Sequence, residues 1–152
     1  MAKSALHCQG LDLPEVVHVS VLLCDDPTIQ EINQTWRQED KPTDVLSFPM
    51  HEPEELATLL EGGQIHGEFE LGDIIINLDY VQRLLTAQTH RARVASELGV
   101  AAEELEWGLL EEIEFLFIHG LLHLTGHDHA EPDEEALMKR EERRLWQHSH
   151  QG

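Results

Sequence analysis

Apolar positions change their spacing several times along the chain, and each change marks an element. Val16–Cys24, VVHVSVLLC, is rich in β-branched residues and reads as a strand, partly alternating and then continuously apolar. Asp25-Asp26-Pro27-Thr28 follows, an acidic cap with proline at an early helical position. Ile29, Ile32 and Trp36 then share one face, so an amphipathic helix is expected from Pro27 to Arg37. Gln38–Pro42 is a polar loop, and Thr43–Pro49 is a short strand closed by proline.

Met50 to Glu70 is acidic, carries Gly62-Gly63 and holds a helical piece at Glu54–Glu61, so a surface excursion is expected there. Leu71–Asn77 reads as a buried strand. Asp79 to Leu98 has helical composition, with Val81, Leu84, Leu85 and Val94 as core candidates, and Gly99–Glu104 breaks it. Glu106 to Leu124 is the longest helical pattern, with Leu109, Leu110, Ile113, Leu116, Phe117, Leu121 and Leu124 facing inward. Pro132 opens a last helix, Asp133 to Trp146, acidic at its start and basic at its end as the helix dipole favours. His148 and His150 then fall in a solvated tail, residues 147–152. Strands early and helices late predict an α+β class: a single domain over residues 1–152, a small mixed sheet packed with about five helices.

Composition narrows the function classes. A chain of 152 residues with 41 % hydrophobic content can bury a core as one domain. Its apolar runs are too short to span a bilayer and MAKSALHCQG lacks a signal-peptide core, so a cytoplasmic protein with no membrane association is expected. Cys8 and Cys24 are the only cysteines and form neither a CxxC pair nor a disulfide framework; Cys24 reads as a small core residue. The formal charge of -20 argues against indiscriminate nucleic-acid binding. Nine of the 10 basic residues cluster at Arg37-Lys41, Arg83-Arg91-Arg93 and Lys139–Arg144, so binding of any polyanion requires a local arrangement of these groups, some of them expected to line one cleft.

Three histidines carry the chemistry. In HGLLHLTGHDH, His119, His123 and His129 stand at relative positions 0, 4 and 10. The first two lie about 40° apart around a helix axis, so both imidazoles leave one face at the end of the long helix. Gly126 falls where that helix stops, because glycine takes the left-handed backbone at a helix end without steric cost. The chain can then return His129 toward the other two. Three neutral imidazoles and one vacant position are the inventory of a catalytic zinc site, one Zn2+ held by three His ligands plus water. With 11 histidines in the chain some clustering arises by chance, but ligand spacing with a glycine at the turn exceeds it.

The spacing H-x-x-x-H-x-x-G-x-x-H also describes metzincin proteases, which place a glutamate general base directly after the first histidine. Gly120 stands there, so that route to peptide hydrolysis lacks its base. HGLLHLTGHDH instead resembles the signature of the YbeY family of bacterial endoribonucleases, usually H-G-x-L-H-L-x-G-[aromatic]-D-H. Asn33–Pro49, NQTWRQEDKPTDVLSFP, is similar to that family's second block, and LGDIII at Leu71–Ile76 to its third. The departures are His127 where tyrosine is usual, and longer acidic segments at Glu52–Glu70 and before the last long helix.

The resemblance implies His119, His123 and His129 as zinc ligands and Arg37 as the catalytically important arginine. It also implies single-strand-specific cleavage of ribosomal RNA in maturation of the 16S 3′ end and in ribosome quality control. Small-subunit ribosomal proteins or a ribosome-associated GTPase are the implied partners. Arg37 offers a planar fork for phosphate oxygens, although a plain surface arginine beside Glu39 and Asp40 would look the same in sequence. Asp128 is a candidate for orienting a ligand imidazole, or equally a helix-end cap. His127 adds a nitrogen close to the site. A fourth protein ligand there would make the metal structural, leaving a non-catalytic ribosome-assembly factor as the alternative beside the metalloprotease.

Overall fold

A computed structural model describes residues 16–61 and 67–150. Cys8, Gly62-Gly63 and the last two residues of the expected tail lie outside the described residues. The class is α+β: among the described residues, three strands form a mixed sheet accompanied by six α-helices and one 3-10 turn. In chain order these are β1 (Val16–Cys24), α1 (Asp26–Arg37), β2 (Val45–Pro49), α2 (Pro53–Glu61), β3 (Glu68–Asn77), α3 (Leu78–Leu85), α4 (Gln88–Leu98), the 3-10 turn (Ala102–Glu104), α5 (Leu109–Leu124) and α6 (Pro132–Ser149). The strand order is β1-β3-β2. Met50 N–H bonds Leu71 O and Asn77 N–H bonds Asp44 O, so β2 runs antiparallel to β3.

The chain packs as two compact units. Among the described residues, one comprises 16–21, 47–61, 67–74 and 118–150; the other comprises Leu22–Leu46 and Ile75–Phe117. In the first, Leu56, Leu71, Ile74, Leu121, Leu122 and Met138 are buried to within 2 % of full burial. In the second, Ile29, Leu46, Ile76, Val81 and Val94 are equally buried.

Local chemistry explains the second unit. Asp25 caps α1 by accepting the Thr28 N–H at 3.1 Å, and Pro27 sits in the first turn. Asn77, fully buried at the end of β3, ties three segments together. Its amide donates to Asp26 Oδ1 at 2.7 Å and to Thr43 O at 3.1 Å, and its Oδ1 accepts Asp79 N–H at 3.1 Å, capping α3. Arg83 closes the knot with a two-pronged contact to Asp26 at 2.7 and 2.9 Å.

Three expectations are corrected. Asp79–Leu98 is two helices rather than one. On a straight helix Val94 would sit about 220° around from Val81, on nearly the opposite face. The chain turns at Ala87, with Thr86 Oγ1 donating to Arg83 O at 2.8 Å, and both valines become fully buried. In α1, Trp36 is not on the buried face but 69 % exposed; Ile29 and Asn33, one turn apart, are buried instead.

The third correction concerns α5, which begins at Leu109 rather than Glu106 and leaves its first two leucines exposed. Leu109 and Leu110 are 42 % and 77 % exposed; Leu116, Leu121 and Leu124 are buried as expected, and Phe115, Ile118 and Leu122 are buried as well. The cause is Glu112, 1 % exposed, which accepts from Trp107 Nε1 at 2.5 Å and pairs with His90 Nε2 at 2.8 Å. A carboxylate thus fixes which face turns inward. Other boundaries move little: β3 starts at Glu68, and α6 extends through His148 to Ser149.

Candidate metal centre

The last two turns of α5 carry His119 and His123, and the helix stops where the sequence expects. His127 N–H reaches back to Leu122 O at 2.9 Å and Gly126 N–H to His123 O at 3.1 Å, a Schellman ending with Gly126 at φ +101°. Pro53, the first residue of α2, packs on this glycine, 3.0 Å from where a Cβ would be. The turn returns the chain so that His129 joins the pair. Ring centroids lie 4.8 Å apart for His119 and His123, 5.3 Å for His123 and His129, and 5.9 Å for His119 and His129. One nitrogen from each lies within 4.8 Å of the others, a group that could hold a metal ion. His119 and His123 are half-buried and His129 is exposed, so the cluster opens to solvent on the His129 side.

The hydrogen bonds set the tautomers. Nδ1–H of His123 donates to the His127 carbonyl at 2.9 Å, and Nδ1–H of His119 donates to Glu142 Oε1 at 2.6 Å. The two Nε2 atoms then point into the cluster and face each other at 3.2 Å. A tetrahedral ion with bonds of about 2.0–2.1 Å holds its nitrogens about 3.3–3.4 Å apart, so the pair is already at ligand separation. Burial, reinforced by the neighbouring His119 and His129, pushes the His123 imidazole down to about 4, so it is neutral and free to ligate at neutral pH.

Glu142 is the residue that sequence reasoning missed. It lies on α6, 5 % exposed, and takes the orienting position expected of Asp128. Asp128 Oδ1 instead accepts the backbone N–H of His129 at 2.7 Å, a local turn contact. The missing signal was present: Met138, Glu142 and Leu145 follow helical spacing on one buried face of α6, placing an acid in an apolar row. His127 contributes its carbonyl, and its ring is not part of the three-histidine group. Burial holds that imidazole below its ordinary value as well.

Gly120 acquires a steric reason. It is buried, and a Cβ there would lie 2.9 Å from Ile74 Cγ2 and 3.0 Å from Ser47 Oγ, the latter already donating to Gly120 O at 3.1 Å. Position 120 therefore faces the sheet. Gly72, in LGDIII, is equally constrained: at φ +149° its Cβ would lie 2.4 Å from Phe48 O.

The match to known proteins covers the chain. The family profile described as Endoribonuclease YbeY matches residues 1–150. The chain belongs to the endoribonuclease YbeY family. It is 37 % identical over 140 residues to the protein named Endoribonuclease YbeY in Aquifex aeolicus, covering 92 % of this chain and 73 % of that one. The Persephonella marina protein of the same name is 40 % identical over 121 residues, 79 % of this chain and 61 % of that one. That of Zymomonas mobilis is 36 % identical over 126 residues, 83 % and 61 %. The chain thus spans less than two thirds of the length of the last two. The solution structure of TM1509 from Thermotoga maritima is 27 % identical, covers 88 % of this chain and 73 % of that one, and gives a TM-score of 0.36.

Arg37, the other residue to which the YbeY resemblance points, ends α1 in the second unit, exposed, with Gln38 after it in the left-handed conformation at φ 58°. Most other cations have acidic or carbonyl partners. Arg83 holds Asp26, Arg91 bonds the Ala102 and Leu105 carbonyls, and Arg93 meets His90 Nδ1 at 3.1 Å. Lys41 pairs with Glu39 at 3.4 Å, Lys139 with Glu135 at 3.1 Å and Arg144 with Glu141 at 3.3 Å. Among the described residues no helix is long and apolar enough to cross a membrane.

Proposed function

We propose that this chain is a zinc-dependent, single-strand-specific endoribonuclease of ribosomal RNA maturation. In this reading it acts in the cytoplasm at the 16S 3′ end and in ribosome quality control, alongside small-subunit ribosomal proteins or a ribosome-associated GTPase. The observation that carries the proposal is the cluster of His119, His123 and His129, with two Nε2 atoms 3.2 Å apart, in a chain matched to the YbeY family over residues 1–150. Zinc bound there supplies Lewis-acid polarisation of a phosphoryl oxygen or of the attacking water. The residues do the rest. His119 and His123 present their Nε2 atoms, and His129 closes from the exposed side. Arg37 binds phosphate oxygens through its planar guanidinium and offsets charge building on phosphorus.

The protease reading is disfavoured by sterics as well as by composition, because position 120 is filled by Ile74 and Ser47 and leaves no room for a glutamate base. The structural-zinc reading needs a fourth protein ligand, and among the described residues the group contains three.

The test pairs metal analysis of the purified protein with cleavage of a ribosomal RNA fragment, with and without chelator. Zinc near one equivalent and chelator-sensitive cleavage are expected. Arg37→Ala is expected to impair cleavage while metal content stays normal. A His123→Ala protein that keeps full RNase activity, free of contaminants, overturns the mechanism.

A further inference from the structure

The buried face of α6 is Met138, Glu142 and Leu145. Four basic residues, Lys139, Arg140, Arg143 and Arg144, flank Glu142 in sequence. Lys139 and Arg144 bond the outward acids Glu135 and Glu141. Glu142 turns inward, where its carboxylate meets His119 Nδ1 at 2.6 Å with its side chain 7 % exposed. A carboxylate taken out of water is costly unless a cation lies close by.

A second pair in the chain shows how such a cost is met. Glu112, equally buried, bonds His90 Nε2 at 2.8 Å, and Arg93 sits on the far nitrogen of the same ring at 3.1 Å. The order is carboxylate, imidazole, cation. At Glu142 the first two members repeat, and the far nitrogen of His119 faces His123 Nε2 and the three-histidine cluster. His123 itself is backed by a neutral carbonyl.

We infer that Glu142 is a positioning residue for the metal: it holds His119 in the Nδ1–H tautomer, aims Nε2 into the cluster and supplies the fixed negative charge that a cation there completes. The inference rests on the metal-binding part of the function proposed above. A carboxylate behind a ligand imidazole raises its basicity, and loss of such partners weakens metal binding by about 10–100-fold. In the metal-free protein Glu142 stays a largely buried carboxylate on His119 Nδ1.

The experiment uses the full chain, stripped with chelator and titrated with zinc in a competing chromophoric chelator. Glu142→Gln keeps an acceptor and removes the charge; Glu142→Leu removes both. Zinc affinity is expected to fall roughly tenfold in the first and closer to a hundredfold in the second. The metal-free Gln variant is expected to melt at or above the wild-type temperature, whereas a packing role would lower the melt in both forms and spare affinity. Nitrogen-15 spectra are expected to show His119 as the Nδ1–H tautomer in wild type and a growing Nε2–H population in Glu142→Leu. Should the Leu variant not fold, the near-isosteric Gln variant carries the affinity test alone. Zinc affinity within about twofold of wild type in every variant that folds overturns the inference. If affinity falls as expected but the wild-type protein cuts no RNA, the proposed activity fails and the positioning role stands. Unchanged affinity with normal cutting gives the reverse.

Discussion

Replacing Gly120 by alanine sets two effects against each other. Alanine in a helix interior is favoured over glycine by ~1 kcal/mol. Against this, the new Cβ would lie 2.9 Å from Ile74 Cγ2, 3.0 Å from Ser47 Oγ and 3.3 Å from Ile74 Cδ1. Ile74 is 0 % exposed and has nowhere to turn, and Ser47 is tied to the Gly120 carbonyl. The end of α5 must therefore lift from the sheet. Overpacking of this kind costs about 1–3 kcal/mol, and loss of the Ser47 hydrogen bond adds about 1 kcal/mol. The helix gain cancels the hydrogen-bond loss, leaving a net destabilisation of about 1–3 kcal/mol. A central ~2 kcal/mol lowers Tm by roughly 4–8 °C in a chain of this size. Urea unfolding is expected to show a lower midpoint at unchanged slope. Because His119 adjoins the substituted position, zinc affinity is expected to fall too, a readout that a general loss of stability would not move at temperatures far below the melt. An alanine variant as stable as wild type, or more so, would refute the close contact and with it the steric argument against a glutamate base.

Three further predictions follow from the same chemistry. Arg83 and then Asn77 hold the Asp26 carboxyl down from 3.8 to about 2, so its stabilisation is complete above the unfolded value and disappears as pH falls through the folded one. Asp26→Asn is expected to flatten the pH dependence of the urea midpoint in that window, and an unchanged slope would count against the knot. In metal-free protein His123 is pushed from 6.5 to about 4, so the unfolded chain takes its proton first and stability drops as pH falls between those values. His123→Gln is expected to remove much of that acid sensitivity, measured by thermal melts across the interval. Gly126→Ala forces a Cβ into φ +101° and to 3.0 Å from Pro53, and is expected to cost about 1–2 kcal/mol in chemical denaturation; a neutral result would mean that the Schellman ending is not needed.

What the sequence showed, and what it hid, divide along one physical line. The histidine site was legible because its geometry is local: a four-residue spacing on one helix and a glycine where the left-handed turn is needed. The strands were legible because β-branched runs betray them, and only their ends moved. The exposed start of α5 and the support of His119 were not, and both turn on a buried glutamate paired with a histidine far away in sequence, Glu112 with His90 and Glu142 with His119. Periodic reading assigns every acid to the solvent, so it placed neither Glu112 nor Glu142 on a buried face. The correcting signal is the apolar row itself: an acid that keeps step with Met138 and Leu145 is buried, and a buried acid needs a partner. For Glu112 the cation beyond the histidine is Arg93. For Glu142 the position beyond the ring belongs to the three-histidine cluster, which is why the chain that holds the acid and the cluster that receives a metal are parts of one electrostatic arrangement.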